Sequence, residues 1–406
     1  PLKYFNSDGT LTSSASMLGM NTLLEHWAMA IHPPTLFIGY AGLTIPFAYA
    51  IAALIVNDSS KEWVVRSQRY TLFSWFFLGV GIGLGAVWAY VVLGWGGYWG
   101  WDPVENASLL PWLVGVALIH SFTVYRQRGA FKRWSVMCAC LTFAFVILGT
   151  FITRSGLVQS VHAFAGDPVS LVMFGALIIC SLLAGIVGLI VRRKNFGATD
   201  AADDDIESMM SKEAAYYVNN LIMVVFAVLL AYLTVSSALP AFLPFGGQAI
   251  SAGTYNAVAR PLGIAYLAVL AVCPLLGWRR TDKKAFWRNA RVPALCALVL
   301  FIVLLLFVRA LPIFVSLSLG KTSRDMTVPE RLTVAFYCTT ALPIIVAVTT
   351  VAVAAGAMAQ GTASVLVAAG GITVLIMPLL ASLTLRTIDA EPVAAAREIR
   401  REPRRI

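Results

Sequence analysis

The residues from 95 to 101 are all tryptophan, glycine or tyrosine, and an aspartate comes directly after them. They are Trp95, Gly96, Gly97, Tyr98, Trp99, Gly100 and Trp101. Glycine lets another group approach the backbone closely, and indole rings provide rigid, flat contact area. The stretch therefore favours binding of a large, flat and mostly apolar molecule, and a porphyrin fits that description better than a sugar or a peptide.

Histidine is the second residue type that could do chemistry here, and the chain has four. Two of them, His32 and His162, border apolar segments on the side of the aromatic stretch, and two imidazoles suit axial ligation of a haem iron. Each could instead be a polar group at a membrane interface. His120 lies about 18 Å down an apolar segment at ~1.5 Å per residue, where a histidine indicates function, although a hydrogen bond to a neighbouring helix would also account for it. We interpret His26 as structural.

Two acidic residues after the aromatic stretch have a second interpretation as helix caps. Asp102, Pro103 and Glu105 place a capping residue, a proline at the first helical position and an acid at the third. Both acids remain candidates for the haem site, but we expect them chiefly to begin the next helix. Arg154 lies at the end of an apolar segment on the same side; it could pair with a haem propionate or anchor its helix at the interface.

Membrane-spanning helices must position these residues. The chain has 406 residues, of which 59% are hydrophobic and 12% charged, and its mean hydropathy of +0.79 exceeds that of soluble domains. Segments of about 20 apolar residues, enough to cross a bilayer, lie near 33–56, 71–94, 108–125, 134–153, 168–191, 218–239, 261–278, 293–313, 331–356 and 363–385. Only helices satisfy their backbone hydrogen bonds within such segments. The predicted fold class is an all-α, polytopic transmembrane helical bundle of about ten spans.

The distribution of basic residues predicts the orientation of the bundle. The connections after the odd-numbered spans hold seventeen Lys and Arg, and those after the even-numbered spans hold six, so the former are cytoplasmic and the aromatic loop faces the outer side. Proline is favoured in the first turn of a helix, and one stands at the outer start of each odd-numbered span, which supports the same orientation. These prolines are Pro33, Pro103, Pro168, Pro261 and Pro329. The basic tail after residue 386 favours the cytoplasm, whereas ten crossings would leave it outside. Either one late segment does not cross or upstream topology overrides the tail.

Charge and cysteine content exclude other classes. The formal charge of +10 lies in short loops between apolar runs, so it sets orientation and does not indicate a nucleic-acid partner. The six cysteines lie within apolar runs and form no CxxC or CxxCH pattern, which excludes a dithiol motif or a covalently attached haem in this chain. The chain starts at Pro1 without a signal-peptide pattern, so we expect a fragment or a processed form.

The sequence predicts four regions. Residues 1–191 form a transmembrane core that carries the loop 95–106 and the external histidines, and 192–217 form a cytoplasmic linker with an acidic run at 203–205. Residues 218–386 contribute further transmembrane helices, and 387–406 form a basic tail.

The aromatic stretch and its flanks resemble a known family. WGGYWGWDPVEN is similar to the tryptophan-rich signature of haem-handling proteins of cytochrome c maturation. The segments AIHPPTLFIGYAG, SLLPWLVGVALIHS and TRSGLVQSVHAFAGDP resemble its CcmF/NrfE branch, the membrane subunits of cytochrome c haem lyase. The similarity covers about His32 to Asp167.

The resemblance implies a role for individual residues. His32 and His162 would ligate an incoming haem b, and a platform for it would consist of Trp95, Gly96, Trp99, Trp101 and Asp102. His120 would be one ligand of a second, membrane-embedded haem b, whose other ligand is a histidine of a later helix. No histidine occurs after His162, so that second haem would need a different ligand, a residue outside this chain or an altered role.

The resulting hypothesis is a haem lyase subunit that acts in a complex in the bacterial cytoplasmic membrane. It would accept haem from a periplasmic haem chaperone, work with CcmH/CcmI-like subunits and attach the haem by thioether bonds to the CxxCH segment of an apocytochrome c, without an acid or base from the loop. One alternative is a haem carrier or export component that performs no ligation. Another is a small-molecule transporter whose tryptophan loop covers the entrance.

Overall fold

The computed structural model of the chain describes most residues between 24 and 339 and a short helical segment near the C-terminus. The described ranges are 24–93, 97–160, 162, 166–197, 206–305, 310–319, 326–339 and 376–384, with residues 8, 10, 349, 351, 353, 358 and 374. Within them the regular structure is helical, without a strand. The helices are α1 (Trp27–Gly42), α2 (Thr44–Val56), α3 (Glu62–Trp88), α4 (Pro103–Arg128), α5 (Lys132–Ser155), α6 (Pro168–Val191), α7 (Arg193–Phe196), α8 (Lys212–Val235), α9 (Ala252–Val272), α10 (Lys283–Leu305), α11 (Leu311–Leu319) and α12 (Val328–Thr339).

Seven helical segments in the described part of the chain are long and apolar enough to cross a membrane. They are Trp27–Val56, Glu62–Leu93, Pro103–Arg128, Lys132–Ser155, Pro168–Val191, Lys212–Ala238 and Ala252–Leu275. They correspond to the first seven predicted spans, and the all-α polytopic fold class is confirmed. The last three predicted spans, 293–313, 331–356 and 363–385, each include residues outside the described ranges.

Proline marks the start of some of these helices but not all of them. Pro103 and Pro168 stand in the first turn, directly after the capping residues of α4 and α6. The same expectation was wrong for Pro33 and Pro261, which lie inside α1 and α9. Those two helices begin earlier because side chains further upstream cap them: His26 accepts from the Ala28 N–H, and Ser251 accepts from the Thr254 N–H.

Helix α4 is the centre of the first part of the bundle. It packs against α3, α5 and α8. Of an 18-residue apolar stretch in this helix 72% is buried, whereas none of the corresponding stretch that begins with α9 is buried. At its C-terminal end the Arg128 guanidinium donates to Glu213 of α8 over 2.7 Å. Because α4 is enclosed on most sides, its first turn and the loop before it are held against several helices at once.

The chain divides into two compact units, and the boundary lies between Phe286 and Trp287. The candidate site residues predicted from the sequence all belong to the first unit. The four regions expected from the sequence, 1–191, 192–217, 218–386 and 387–406, stay a prediction.

Candidate functional site

Asp102 begins helix α4 and also contacts the loop that carries His162. Its side chain accepts the Val104 N–H, while the Glu105 carboxylate accepts the backbone N–H of Asp102, so the predicted capping box is present. The Oδ2 atom of Asp102 additionally accepts the Ser160 hydroxyl over 2.6 Å. Burial alone would raise the pKa of the Asp102 carboxyl, but hydrogen bonds from His162 and Ser160 outweigh it and hold that pKa below its usual value. The carboxyl is therefore ionised at neutral pH.

The His162 imidazole is oriented by that carboxylate. Its Nδ1 lies 3.0 Å from Asp102 Oδ2, and an ionised carboxylate can only accept, so Nδ1 carries the proton. The backbone N–H of His162 donates to Ser160 Oγ over 3.0 Å, and the ring of Trp88 lies 6.2 Å away between centroids. Protonation at Nδ1 leaves the Nε2 lone pair as the donor for a metal.

His32 is held in the same tautomer by a different group. It lies in the second turn of α1, half-buried, with its Nδ1 at 2.7 Å from the backbone carbonyl of Gly81 in α3. A carbonyl only accepts, so Nδ1 again carries the proton and Nε2 keeps its lone pair. Both imidazoles lie against α3, since His32 contacts Gly81 and Gly85 and the His162 ring lies 6.2 Å from that of Trp88. No polar group of the described residues pairs with either Nε2.

Trp99 and Trp101 of the loop pack towards α9 rather than towards the histidines. Trp101 stacks on Tyr255 of α9, with 5.1 Å between ring centroids and 8° between planes, and its Nε1 donates to Asn256. Trp99 meets Trp101 edge to face at 6.2 Å. Trp101 also has a positive φ of 59°, a conformation that costs a bulky residue energy and that surrounding contacts must impose. Asn106 supplies one such contact, since its side-chain amide donates to the Trp101 carbonyl.

These tryptophans line a cavity of about 810 Å³. Its wall is formed by the loop and by residues of α3, α4 and α9, including Gly79, Gly83, Trp112 and Asn256. The buried indole N–H groups of Trp99 and Trp112 have no hydrogen-bond partner among the described residues. Aromatic, aliphatic and glycine residues dominate the lining, so the cavity can hold a flat apolar molecule.

The two histidines and the tryptophan cavity lie against opposite faces of α3. Gly79 and Gly83 border the cavity, whereas Gly81 and Gly85 contact His32. Residues four apart share a helix face, and residues two apart point to opposite sides. The structure thus brings His32 and His162 into one region with Trp88, and it places Trp99 and Trp101 in a neighbouring region.

The remaining candidate residues occupy the rim or lie elsewhere. Tyr98 is exposed and stacks on Tyr90 at 4.4 Å, Gly97 is next to it, and Trp95 and Gly96 lie outside the described residues. Arg154 is exposed, and its backbone carbonyl accepts the Asp167 N–H over 3.1 Å. Their assignment to a haem site stays a prediction.

His120 lies within the bundle, apart from this region. Its Nδ1 is 2.7 Å from the side-chain amide of Asn219 in α8, and its ring lies 4.8 Å from that of Tyr216. This is the alternative that the sequence left open, a histidine bonded to a neighbouring helix. Asn219 was not predicted, since an amide within an apolar segment identifies no partner from sequence alone.

Gly81, Gly85, Trp88 and Ser160 were missed as site residues, although the sequence carries a signal for two of them. Glycines alternate at 79, 81, 83 and 85, which puts one pair on each side of a helix. Small residues four apart in a membrane helix indicate a close approach, here by α1 on one face. Trp88 and Ser160 carry no comparable signal.

The fold defines a polytopic helical membrane protein, and two histidines near one end of its helices each place Nδ1 at an acceptor oxygen. Residues 11–159 match the family described as cytochrome C assembly protein. The chain is 40% identical over 263 residues to the cytochrome c-type biogenesis protein CycK of Bradyrhizobium diazoefficiens, covering 65% of this chain and 39% of that protein. It is 36% identical over 277 residues to CcmF of Escherichia coli K12, covering 68% and 42%.

A solved structure described as cytochrome c heme lyase CcmF is also similar. It matches with a TM-score of 0.51 and 29% identity, over 88% of this chain and 52% of that one. The chain resembles the CcmF, CycK and NrfE members of the cytochrome c assembly family, which confirms the resemblance seen in the sequence. It spans about two fifths of the length of the curated relatives it matches.

Proposed function

We propose that this chain binds haem b as a substrate between His32 and His162 and presents it for covalent attachment to an apocytochrome c. One observation carries the proposal: both imidazoles direct Nδ1 at a fixed acceptor, the Gly81 carbonyl and the Asp102 carboxylate, and so keep Nε2 for a metal. Histidine ligands of metals almost always use their second nitrogen in this way.

The residues present fit a haem. Two neutral imidazoles are a common axial ligand pair for haem iron, and Trp88 offers an apolar surface beside His162. Asp102 and Ser160 tie the histidine loop to the first turn of α4, so the position of His162 is set by the most enclosed helix of the bundle. The chain thus supplies ligands on two separate elements with a fixed orientation of each.

The proposed reaction is addition of two thiols to the two vinyl groups of the haem. In each addition a carbon–sulfur bond forms at one vinyl carbon and the thiol hydrogen ends on the other, so no oxidant is consumed. The reactivity belongs to the porphyrin and the thiols, and the protein contributes orientation, which can supply a large part of the rate. Asp102 acts here as a positioning residue for His162.

The proposed setting is the bacterial cytoplasmic membrane, with the histidines on the periplasmic side. The abundance of Lys and Arg at the opposite end of the helices supports that orientation. A periplasmic haem chaperone would deliver the haem, an apocytochrome c would receive it, and CcmH/CcmI-like subunits would complete the assembly.

A second, membrane-embedded haem does not fit the residues of this chain. The Asn219 side-chain NH2 donates to Nδ1 of His120, so the His120 proton is on Nε2, which then has no lone pair for a metal. The other three histidines, His26, His32 and His162, lie at the outer end of the helices. We therefore assign no step to such a group.

The test is haem binding by the purified chain in detergent. Wild type should show a Soret band that falls with His32→Ala or His162→Ala and disappears in the double variant. His26→Asn is the matched control, because it retains a capping side chain on α1 and contacts neither ligand. An unchanged band in the double variant, or an equal loss in the control, would contradict the ligand assignment.

Co-expression with an apocytochrome c then separates a lyase from a carrier. A lyase subunit produces covalent haem staining on the cytochrome that is lost with the double variant, with the remaining maturation subunits present in both cases. Haem bound by the chain without any effect on covalent product would favour a carrier without ligation activity.

A further inference from the structure

We infer that the end of the bundle opposite the histidines contains a binding site for an anionic phospholipid, between the start of α5 and the start of α8. This site is separate from the proposed haem function. The start of α5 and Tyr217 of α8 enclose a cavity of about 360 Å³. Its lining residues are Phe131, Lys132, Arg133, Trp134, Met137, Ile206 and Tyr217.

Two cationic side chains, Lys132 and Arg133, line the cavity. Lys132 is half-buried and Arg133 is exposed, and neither forms an ion pair with any residue that the structure describes. They also occupy the first turn of α5, where there is no acidic residue and no side-chain cap. The free N–H groups of a helix start carry partial positive charge, so the two cations add to a potential that is already positive.

Aromatic side chains place the cavity at a membrane interface. Tyr217 meets Trp134 edge to face at 5.7 Å and Phe131 at 6.3 Å. Tryptophan and tyrosine concentrate at the level of lipid headgroups, where one end of the ring is apolar and the other is hydrated. The charged part of the cavity therefore lies where a lipid phosphate lies.

The part of the cavity lined by Met137 favours a lipid over a soluble phosphate. Met137 is about 7.5 Å further along α5 than Lys132 at ~1.5 Å per residue, it lines the cavity, and it is 48% exposed. A flexible thioether suits an acyl chain. Basic pockets between membrane helices with this combination bind anionic headgroups.

The arginine has room because of a glycine in the segment after α7. A β-carbon at Gly197 would overlap the Arg193 carbonyl oxygen and would come within 2.7 Å of the Arg133 Nη2 atom. The Arg133 guanidinium therefore lies against the backbone of this segment, which a residue larger than glycine would crowd.

The experiment is lipid binding to the purified chain by native mass spectrometry, with phosphatidylglycerol and phosphatidylcholine as probes. Phosphatidylglycerol should bind more tightly than phosphatidylcholine. The double variant Lys132→Ala with Arg133→Ala should weaken phosphatidylglycerol binding ~25-fold, at ~5-fold for each charge removed. The matched control is Lys61→Ala with Arg69→Ala, which removes the same charge at the same end of the bundle but outside the cavity. It should retain binding.

Three outcomes would overturn the inference. They are equal binding of the two lipids, an equal loss in the control variant, and full competition by glycerol 3-phosphate, which would show a site for a soluble phosphate. The exchange variant Lys132→Arg with Arg133→Lys keeps both positive charges, so it should bind phosphatidylglycerol as the wild type does. Unfolding temperatures measured in parallel establish that the alanine variants are folded.

Discussion

Gly85 of α3 lies directly beside the imidazole of His32. A β-carbon at this position would approach Cε1 to 2.6 Å, Nδ1 to 2.9 Å and Nε2 to 3.1 Å, all within van der Waals contact. The imidazole therefore occupies the space that a side chain at position 85 would take. Position 83, two residues earlier on the opposite face, has nothing within 4 Å of its β-carbon.

Gly85→Ala should displace the His32 ring and weaken haem binding. Breaking the hydrogen bond to Gly81 and misplacing a ligand should cost ~10–100-fold in affinity, as loss of an orienting partner does at metal sites. The measurement is a haem titration monitored by the Soret band.

Gly83→Ala is the control for Gly85→Ala. Both changes add one methyl group to the same helix and gain the same ~1 kcal/mol of helix propensity. If haem binds at the histidines, Gly83→Ala leaves the titration unchanged. The reverse pattern, loss with Gly83→Ala only, would place the haem in the tryptophan cavity.

Asp102→Asn should weaken haem binding ~10–100-fold while helix α4 remains capped, because asparagine caps as well as aspartate. The amide no longer imposes a proton on Nδ1 of His162. Asp167→Asn is the control, since Asp167 caps α6 through the Val169 and Ser170 N–H groups and contacts neither histidine. Equal titrations for the two variants would show that Asp102 has only a capping role.

The pH dependence of stability tests the same carboxyl group independently. The pKa of Asp102 is lowered in the folded chain from an ordinary value of 3.8, so its stabilising effect is complete above that value and is lost as the pH falls through the lower folded pKa. Thermal unfolding of wild type and Asp102→Asn should therefore differ at neutral pH and converge in acid. A constant difference down to low pH would contradict the assigned ionisation.

The sequence predicted the elements better than their contacts. Apolar length alone located seven spans, because only a helix satisfies its backbone in a bilayer. The spacing of Asp102, Pro103 and Glu105 also predicted the capping role of Asp102, which is confirmed. Which helix faces meet depends on side-chain packing. The sequence therefore could not predict that Trp101 stacks on Tyr255, or that α3 separates Trp99 and Trp101 from His32 and His162. Proline was an incomplete guide, since a cap upstream of Pro33 began α1 earlier.

Glu213→Gln should destabilise the first unit by about 1–3 kcal/mol, because it removes a charged acceptor from Arg128. That pair joins α4 to α8 at 2.7 Å, with side chains 29% and 12% exposed. Glu62→Gln is the control: the Arg66–Glu62 pair is 3.8 Å long and about 70% exposed on both sides, so its loss should cost less than ~1 kcal/mol. Equal shifts in thermal unfolding would mean that the α4–α8 contact does not depend on this ion pair.

His120→Ala should leave the haem content of the purified chain unchanged. The residues of this chain provide one imidazole inside the bundle, and its Nδ1 accepts from the Asn219 amide, which leaves the proton on Nε2. The expected value is therefore one haem per chain, held at His32 and His162. The variant should instead lower stability by about 1 kcal/mol, the typical worth of a hydrogen bond between membrane helices, and Asn219→Ala should do the same. The measurement is haem per chain by pyridine haemochrome, with thermal unfolding alongside. Two haems per chain, one of them lost in His120→Ala but kept in Asn219→Ala, would show that His120 ligates iron despite its contact with Asn219.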